Sequence, residues 1–196
     1  MKKILITFFF ILFSLSFFLF FSGCFGEEET PTATTEVSAE DFKLYAVEDF
    51  AIRYPKNWAI QTELADDFPE TTIVTFTDPN NGYFHTNINI DKRTLKPNLD
   101  NISFAQEMLN KHSGDLINFK KIAEQNVKIK ISGTSTDAIF AVFEGKNQRD
   151  GDTFKFMQIY AVKGSFGYTA TGTMLNNAGE EIDNKLSTSL KTFEVQ

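Results

Sequence analysis

The chain has 196 residues, enough for one domain rather than two. Its formal net charge is −7; without Lys2 and Lys3 of the leader, 17 basic residues face 26 acidic ones, a net of −9. That balance excludes nucleic acid and electrostatic docking on anionic headgroups. A single cysteine, Cys24, excludes an intramolecular disulfide, a zinc cluster or a dithiol redox pair.

Met1-Lys2-Lys3 is a short positive segment, and Ile4 to Phe21 is apolar apart from Thr7, Ser14 and Ser16. The run ends in Phe21-Ser22-Gly23-Cys24, small residues directly before a cysteine. This pattern resembles the prokaryotic lipoprotein signal, with Phe21 where leucine is usual. The resemblance implies that residues 1–23 are a signal peptide and that Cys24 is diacylated as the mature N-terminus. The alternative is an uncleaved signal anchor, since the apolar run approaches the length of a bilayer span. On either reading the two lysines hold the N-terminus inside, and the rest of the chain faces outside the cytoplasm. Two acyl chains, or one helix, suffice for stable anchoring in the cell membrane.

From Gly26 to about Glu40 the composition turns acidic and threonine-rich, almost without large apolar residues. Such a segment cannot offset the entropy of ordering, so residues 24–41 are expected to be a lipidated cysteine on a disordered tether. The folded domain is expected over residues 42–196.

Phe42 to Tyr45 reads as a short first strand. In Phe50-Ala51-Ile52-Arg53-Tyr54-Pro55, apolar residues alternate with Ala51 and Arg53, the period of a strand with one buried face. Pro55 stops that ladder, and Trp58, the one tryptophan, follows where a large ring caps a core. Thr72 to Thr77 is β-branched and aromatic, a third strand, and Asp78-Pro79-Asn80-Asn81-Gly82 is a dense turn signal. The next strand, His85 to Asp91, puts Ile88 and Ile90 on one face and His85, Asn87, Asn89 and Asp91 on the other.

A helix is expected to start at Ser103, which has capping-box spacing to Gln106, and to end at Gly114. Phe104, Met108 and Leu109 form its apolar stripe. Val127 to Ile131 is a half-buried strand with lysines outside. Ala138 to Phe143 and Phe154 to Val162 are apolar on both faces. Phe166 to Met174 carries Phe166, Tyr168, Ala170 and Met174 on one face and threonines on the other. Asp150-Gly151 and Gly164-Ser165 predict two-residue hairpins between these strands. Asn177 with Glu180 opens a final helix bearing Ile182, Leu186 and Leu190, and Thr192 to Val195 closes the chain.

An antiparallel sheet covered on both faces by separate helices is an α+β fold, a three-layer α/β/α sandwich. The early aromatic-x-Ile-x-Tyr-Pro-x-x-Trp stretch, Phe50 to Trp58, the order of elements and the closing Lys191-Thr192-Phe193 resemble the PsbP-like fold family. That family includes the photosystem II extrinsic subunit P and a Ran-binding nuclear import factor. The resemblance covers about Phe42 to Val195 and implies a non-enzymatic role in protein interaction or assembly.

Chemistry is sparse. His85, Asn87, Asn89 and Asp91 share a strand face and offer a polar ligand site or a weak metal site, against the plainer reading of a solvated face. His112 reads as a helix C-terminal cation or a surface residue. Ser165 lies in a hairpin, not in a nucleophile elbow. Asp66-Asp67 and Glu180-Glu181 are adjacent in sequence, so each pair points apart. Neither a catalytic group nor a cofactor site emerges, and no metal set stands out. Asn101-Ile102-Ser103 is a glycosylation sequon. Thirteen phenylalanines after Phe25 leave room for an apolar-ligand pocket, although aromatic residues fill cores more often than they line cavities.

The sequence therefore describes a membrane-anchored extracytoplasmic lipoprotein with lipidation at Cys24. It is expected to be a non-enzymatic module that binds an envelope protein. The alternative is a binding protein for an apolar or small-molecule ligand.

Overall fold

A computed structural model describes residues 38–196 except 67 and 81. The leader, Cys24 and the tether up to residue 37 lie outside the described residues. Among those described, no helix is long and apolar enough to cross a membrane.

A one-turn 3-10 helix, Ala39–Asp41, leads into strand β1 (Phe42–Ala46), which pairs antiparallel with β2 (Phe50–Pro55). Then follow β3 (Ala59–Gln61), β4 (Thr72–Thr77), β5 (Asn87–Thr94), helix α1 (Asn101–Asp115), β6 (Ile117–Ile131), β7 (Thr134–Lys146), β8 (Phe154–Lys163), β9 (Phe166–Leu175), helix α2 (Glu180–Lys191) and β10 (Glu194–Val195). The strands form one sheet in the order β1-β2-β10-β6-β7-β8-β9-β5-β4-β3. Every pairing is antiparallel except the short parallel contact of β10 with β6.

The turns explain the register. Ser132 and Gly133, at φ of 47° and 77°, both occupy the left-handed region that a two-residue hairpin between twisted strands requires. They join two strands far longer than the Val127–Ile131 and Ala138–Phe143 segments expected. Gly164, at φ 61°, opens the predicted β8–β9 hairpin. The Asp150-Gly151 hairpin is not two residues long: residues 147–153 form a wider loop, closed by a Gly151 N–H donating to Gln148 O at 3.1 Å.

Both helix starts differ from expectation. Asp100, not Ser103, is the N-cap of α1, its Oδ1 accepting the Ser103 N–H at 2.7 Å. Gln106 instead bonds Glu124 across to β6, and Gly114 lies inside the helix. Gly179, at φ 94°, precedes α2 without a side-chain cap, leaving Glu180, Glu181 and Asp183 to complement the helix dipole.

The two helices occupy opposite faces of the sheet. On one, Phe104, Ala105, Met108 and Leu109 of α1 pack on Ile139, Ala141, Phe143 and Tyr160. Gly167 lets α1 approach, because a Cβ there would lie 2.8 Å from the Phe104 ring. On the other, Leu186 and Leu190 of α2 join Phe50, Ile52, Trp58, Phe76, Ile88, Ile90 and Ile159. The expected α+β, three-layer α/β/α sandwich holds only in part, because the fold is mostly β and its ten-stranded sheet is curled. Tyr54 of β2 stacks on Phe76 of β4 with ring centroids 4.8 Å apart, although these strands are second and ninth in the sheet order. The sheet rolls until its two margins touch, enclosing α2 on the concave side. One helix per face cannot cover ten strands, so the sheet covers itself.

Candidate functional site

Rolling leaves part of the convex face beside α1 uncovered. There the register sets three strands side by side as a grid. Asn87, Asn89 and Asp91 of β5 lie opposite Thr173, Thr171 and Thr169 of β9. Those threonines lie opposite Phe156, Gln158 and Tyr160 of β8. Because side chains alternate along a strand, all nine residues project to the same face. Their partners on the other face, Ile88, Ile90 and Ala170, are buried in the concave core.

This grid floors a cleft of about 550 Å³. Pro69, Thr71 and Thr72 form one wall, and Met108, Lys111, His112 and Asp115 from the C-terminal half of α1 form the other. Thr169 is 2% exposed, Gln158 5% and Thr171 8%, so the floor is deep as well as polar.

Part of the floor is locked internally. Tyr160 Oη donates to Gln158 Oε1, and Gln158 Nε2 donates to Thr171 Oγ1 at 3.0 Å. Asp91 Oδ1 accepts the hydroxyls of Thr72 at 2.8 Å and Thr71 at 3.2 Å, tying the wall to the floor. Asn87 spends its Nδ2 on the His85 carbonyl. Burial pushes the Tyr160 phenol far above its ordinary pKa, so it stays a donor.

The remainder is unsatisfied. Asn87 Oδ1, Asn89 Oδ1, Arg93 Nε, Thr169 Oγ1 and His112 Nε2 are buried atoms with no hydrogen-bond partner, and all five residues line this one cleft. Buried polar atoms are normally paired, because each unpaired one costs about 1–3 kcal/mol. His112 stacks on Phe143 with ring centroids 5.1 Å apart. Burial holds its pKa below the ordinary imidazole value, against smaller opposing influences of Gln158 and Asp115, so the ring is neutral at pH 7.

Asn87, Asn89 and Asp91, expected on one strand face, are thus brought together. His85 is not among them. It precedes β5, and its Nδ1 lies 3.0 Å from the Asp78 carbonyl. No set of three metal-binding carboxylate, imidazole or thiol side chains forms among the described residues. Sequence reasoning read His112 as a helix C-terminal cation or a surface residue, yet a signal was present: with Phe104 and Met108 it repeats every fourth residue along the apolar stripe. The threonine face of β9 was visible too, but not its pairing with the amide face of β5.

Other features fill structural roles. Asn101 of the sequon is 6% exposed; its Nδ2 donates to the Asp137 carbonyl and its Oδ1 accepts the Val162 N–H, both at 2.7 Å. Both ends of the amide are therefore engaged within the fold. Phe50, Phe76, Phe104, Phe143 and Phe193 are at most 2% exposed and fill the two cores. A hollow of about 680 Å³ at Thr62–Ile73 is larger than the cleft, but none of the unpartnered atoms belongs to its lining.

No protein-family model matches the chain, and no curated protein matches it. Solved structures do. The chain is similar to the cyanobacterial PsbP, CyanoP, of Synechocystis sp. PCC 6803, at 12% identity and a TM-score of 0.51 over 82% of this chain and 96% of that one. It is similar to LpqN of Mycobacterium tuberculosis, described as involved in cell envelope biogenesis, at 12% identity and a TM-score of 0.51 over 75% of this chain and 83% of that one. The fold is PsbP-like.

Proposed function

We propose that this protein is a membrane-tethered, extracytoplasmic envelope module that works by binding rather than catalysis and takes a small polar ligand in the cleft beside α1. One observation carries the reading: five unpartnered buried polar atoms belong to residues of a single cleft. Ligand sites keep such groups unsatisfied until occupied, and the cleft volume falls within the range of small-molecule sites. The leader and Cys24 support the tethered, outward-facing address. LpqN, described as an envelope-biogenesis protein, has the same fold and supports the setting. Within the lining, Asp91 holds the hydroxyls of Thr71 and Thr72, and Gln158 holds that of Thr171, as tethers of the wall and floor, which supports a binding role.

Of the two expectations drawn from the sequence, the unpartnered atoms of the cleft support the small-ligand reading. Assembly with an envelope protein stays compatible with the fold.

The test is to extract the full chain gently from native membranes, with Cys24→Ala and Asn89→Leu chains in parallel. The expected result is a stoichiometric small molecule, seen by mass spectrometry, with the wild type but not with Asn89→Leu. Loss of the acyl mass from the N-terminal fragment of Cys24→Ala is expected as well. A protein companion with no small molecule would overturn the ligand reading in favour of assembly.

A further inference from the structure

We propose that the cleft, granted the binding reading above, recognises a neutral polyhydroxylated ligand of the saccharide class. The unsatisfied atoms are mixed in kind: Asn87 and Asn89 offer amide oxygens, Arg93 Nε offers a donor, and Thr169 Oγ1 both gives and takes. A ligand hydroxyl also donates and accepts through one atom, so a row of hydroxyls satisfies this set wherever it falls. Single-sign ligands do not. An anion would meet Asp91, Asp115 and two amide oxygens; a cation would meet Arg93 and Lys111. Those charges balance, and the imidazole is neutral.

The floor suits a ring as well as a chain of hydroxyls. Neighbouring strands set the Asn89, Thr171 and Gln158 positions about 5 Å apart in one row across the sheet. At one end of the grid, half-buried Phe156 stacks on Phe143 with ring centroids 5.2 Å apart, giving an apolar surface for the C–H face of a sugar. Met108 adds a second apolar contact on the α1 side. Amide, hydroxyl and aromatic groups side by side, with the charges of the lining balanced, match a saccharide better than a phosphate.

The experiment is saturation-transfer NMR on the full chain in mild detergent. The probes are glucose, N-acetylglucosamine and linear oligomers of each, with glutamate, glycine betaine and inorganic phosphate as comparators. At least one saccharide is expected to receive saturation, with affinity falling by about 10-fold in Thr169→Val and in Asn89→Leu. Thr169→Val removes a hydroxyl that holds no partner, so it retains the fold even if Asn89→Leu does not. Binding of glutamate, betaine or phosphate alone, sensitive to the same variants, overturns the saccharide class and leaves the cleft as a ligand site. Silence from every probe overturns both.

Discussion

Thr169 shows at the scale of one residue what the cleft costs the fold. Its hydroxyl is buried between Asp91 and Tyr160 in the grid and pairs with nothing. Replacing it with valine keeps the shape and removes the unsatisfied group, so Thr169→Val should raise stability by about 1 kcal/mol in urea unfolding while weakening ligand binding. A loss of stability would mean that the hydroxyl is satisfied within the fold. His112 makes a second, pH-dependent statement. Its folded pKa lies below the ordinary value of 6.5, so the unfolded chain takes up the proton first. Its neutral burial costs nothing above pH 6.5. Stability then declines as pH falls below 6.5 and levels off under the folded pKa. The carboxylates act lower. Asp49 is held down by Lys92, Asp100 by the Ser103 N–H and Glu124 by Lys121, so their contributions disappear below about pH 4. In His112→Gln, the decline between pH 7 and 5 should flatten while the acid limb stays.

At the scale of elements, α1 is what turns a polar strip of sheet into a cleft, and its start depends on Asp100. Asp100→Ala should cost about 1 kcal/mol, and Ser103→Ala far less, because it is the Asp100 carboxylate that accepts the Ser103 N–H. Equal effects would restore Ser103 as the cap. The competition was hard to read because Asp100 and Ser103 both carry capping chemistry three residues apart, and only backbone geometry decides between them. Strand patterning was more legible. The alternation in Phe50 to Tyr54 and in Ile88 and Ile90 correctly gave the faces buried in the concave core. The same alternation says nothing about what lies over the opposite face. Asn87, Asn89 and Asp91 looked solvated because the groups that enclose them, residues 69–72 and α1, approach through tertiary packing. The β6–β7 hairpin was missed for a different reason: β6 is largely exposed, and its lysines and apolar residues interleave without one buried face, which blurs its period.

The rolled sheet is a property of the whole molecule and was not written in any segment. It depends on contacts such as Tyr54 and Tyr45 with Phe76, whose strands are separated by most of the sheet. Phe76 is fully buried, so Phe76→Ala should cost about 3–5 kcal/mol and weaken near-ultraviolet circular dichroism, because the margins lose their shared ring. A cost under 1 kcal/mol would show that the margins do not close through this contact. The α+β character and the helix on each face followed from element order. The layered shape did not, because strand count and curl are set by long-range pairing.

The most direct measurement is hydrogen exchange on the full chain as isolated from native membranes, compared with the same chain stripped by unfolding and refolding. If the cleft is a ligand site, the isolated chain will exchange more slowly over residues 87–93, 156–158, 169–173 and 108–115 than the stripped chain. Identical exchange in those segments, or a difference confined to residues 62–73, would contradict it.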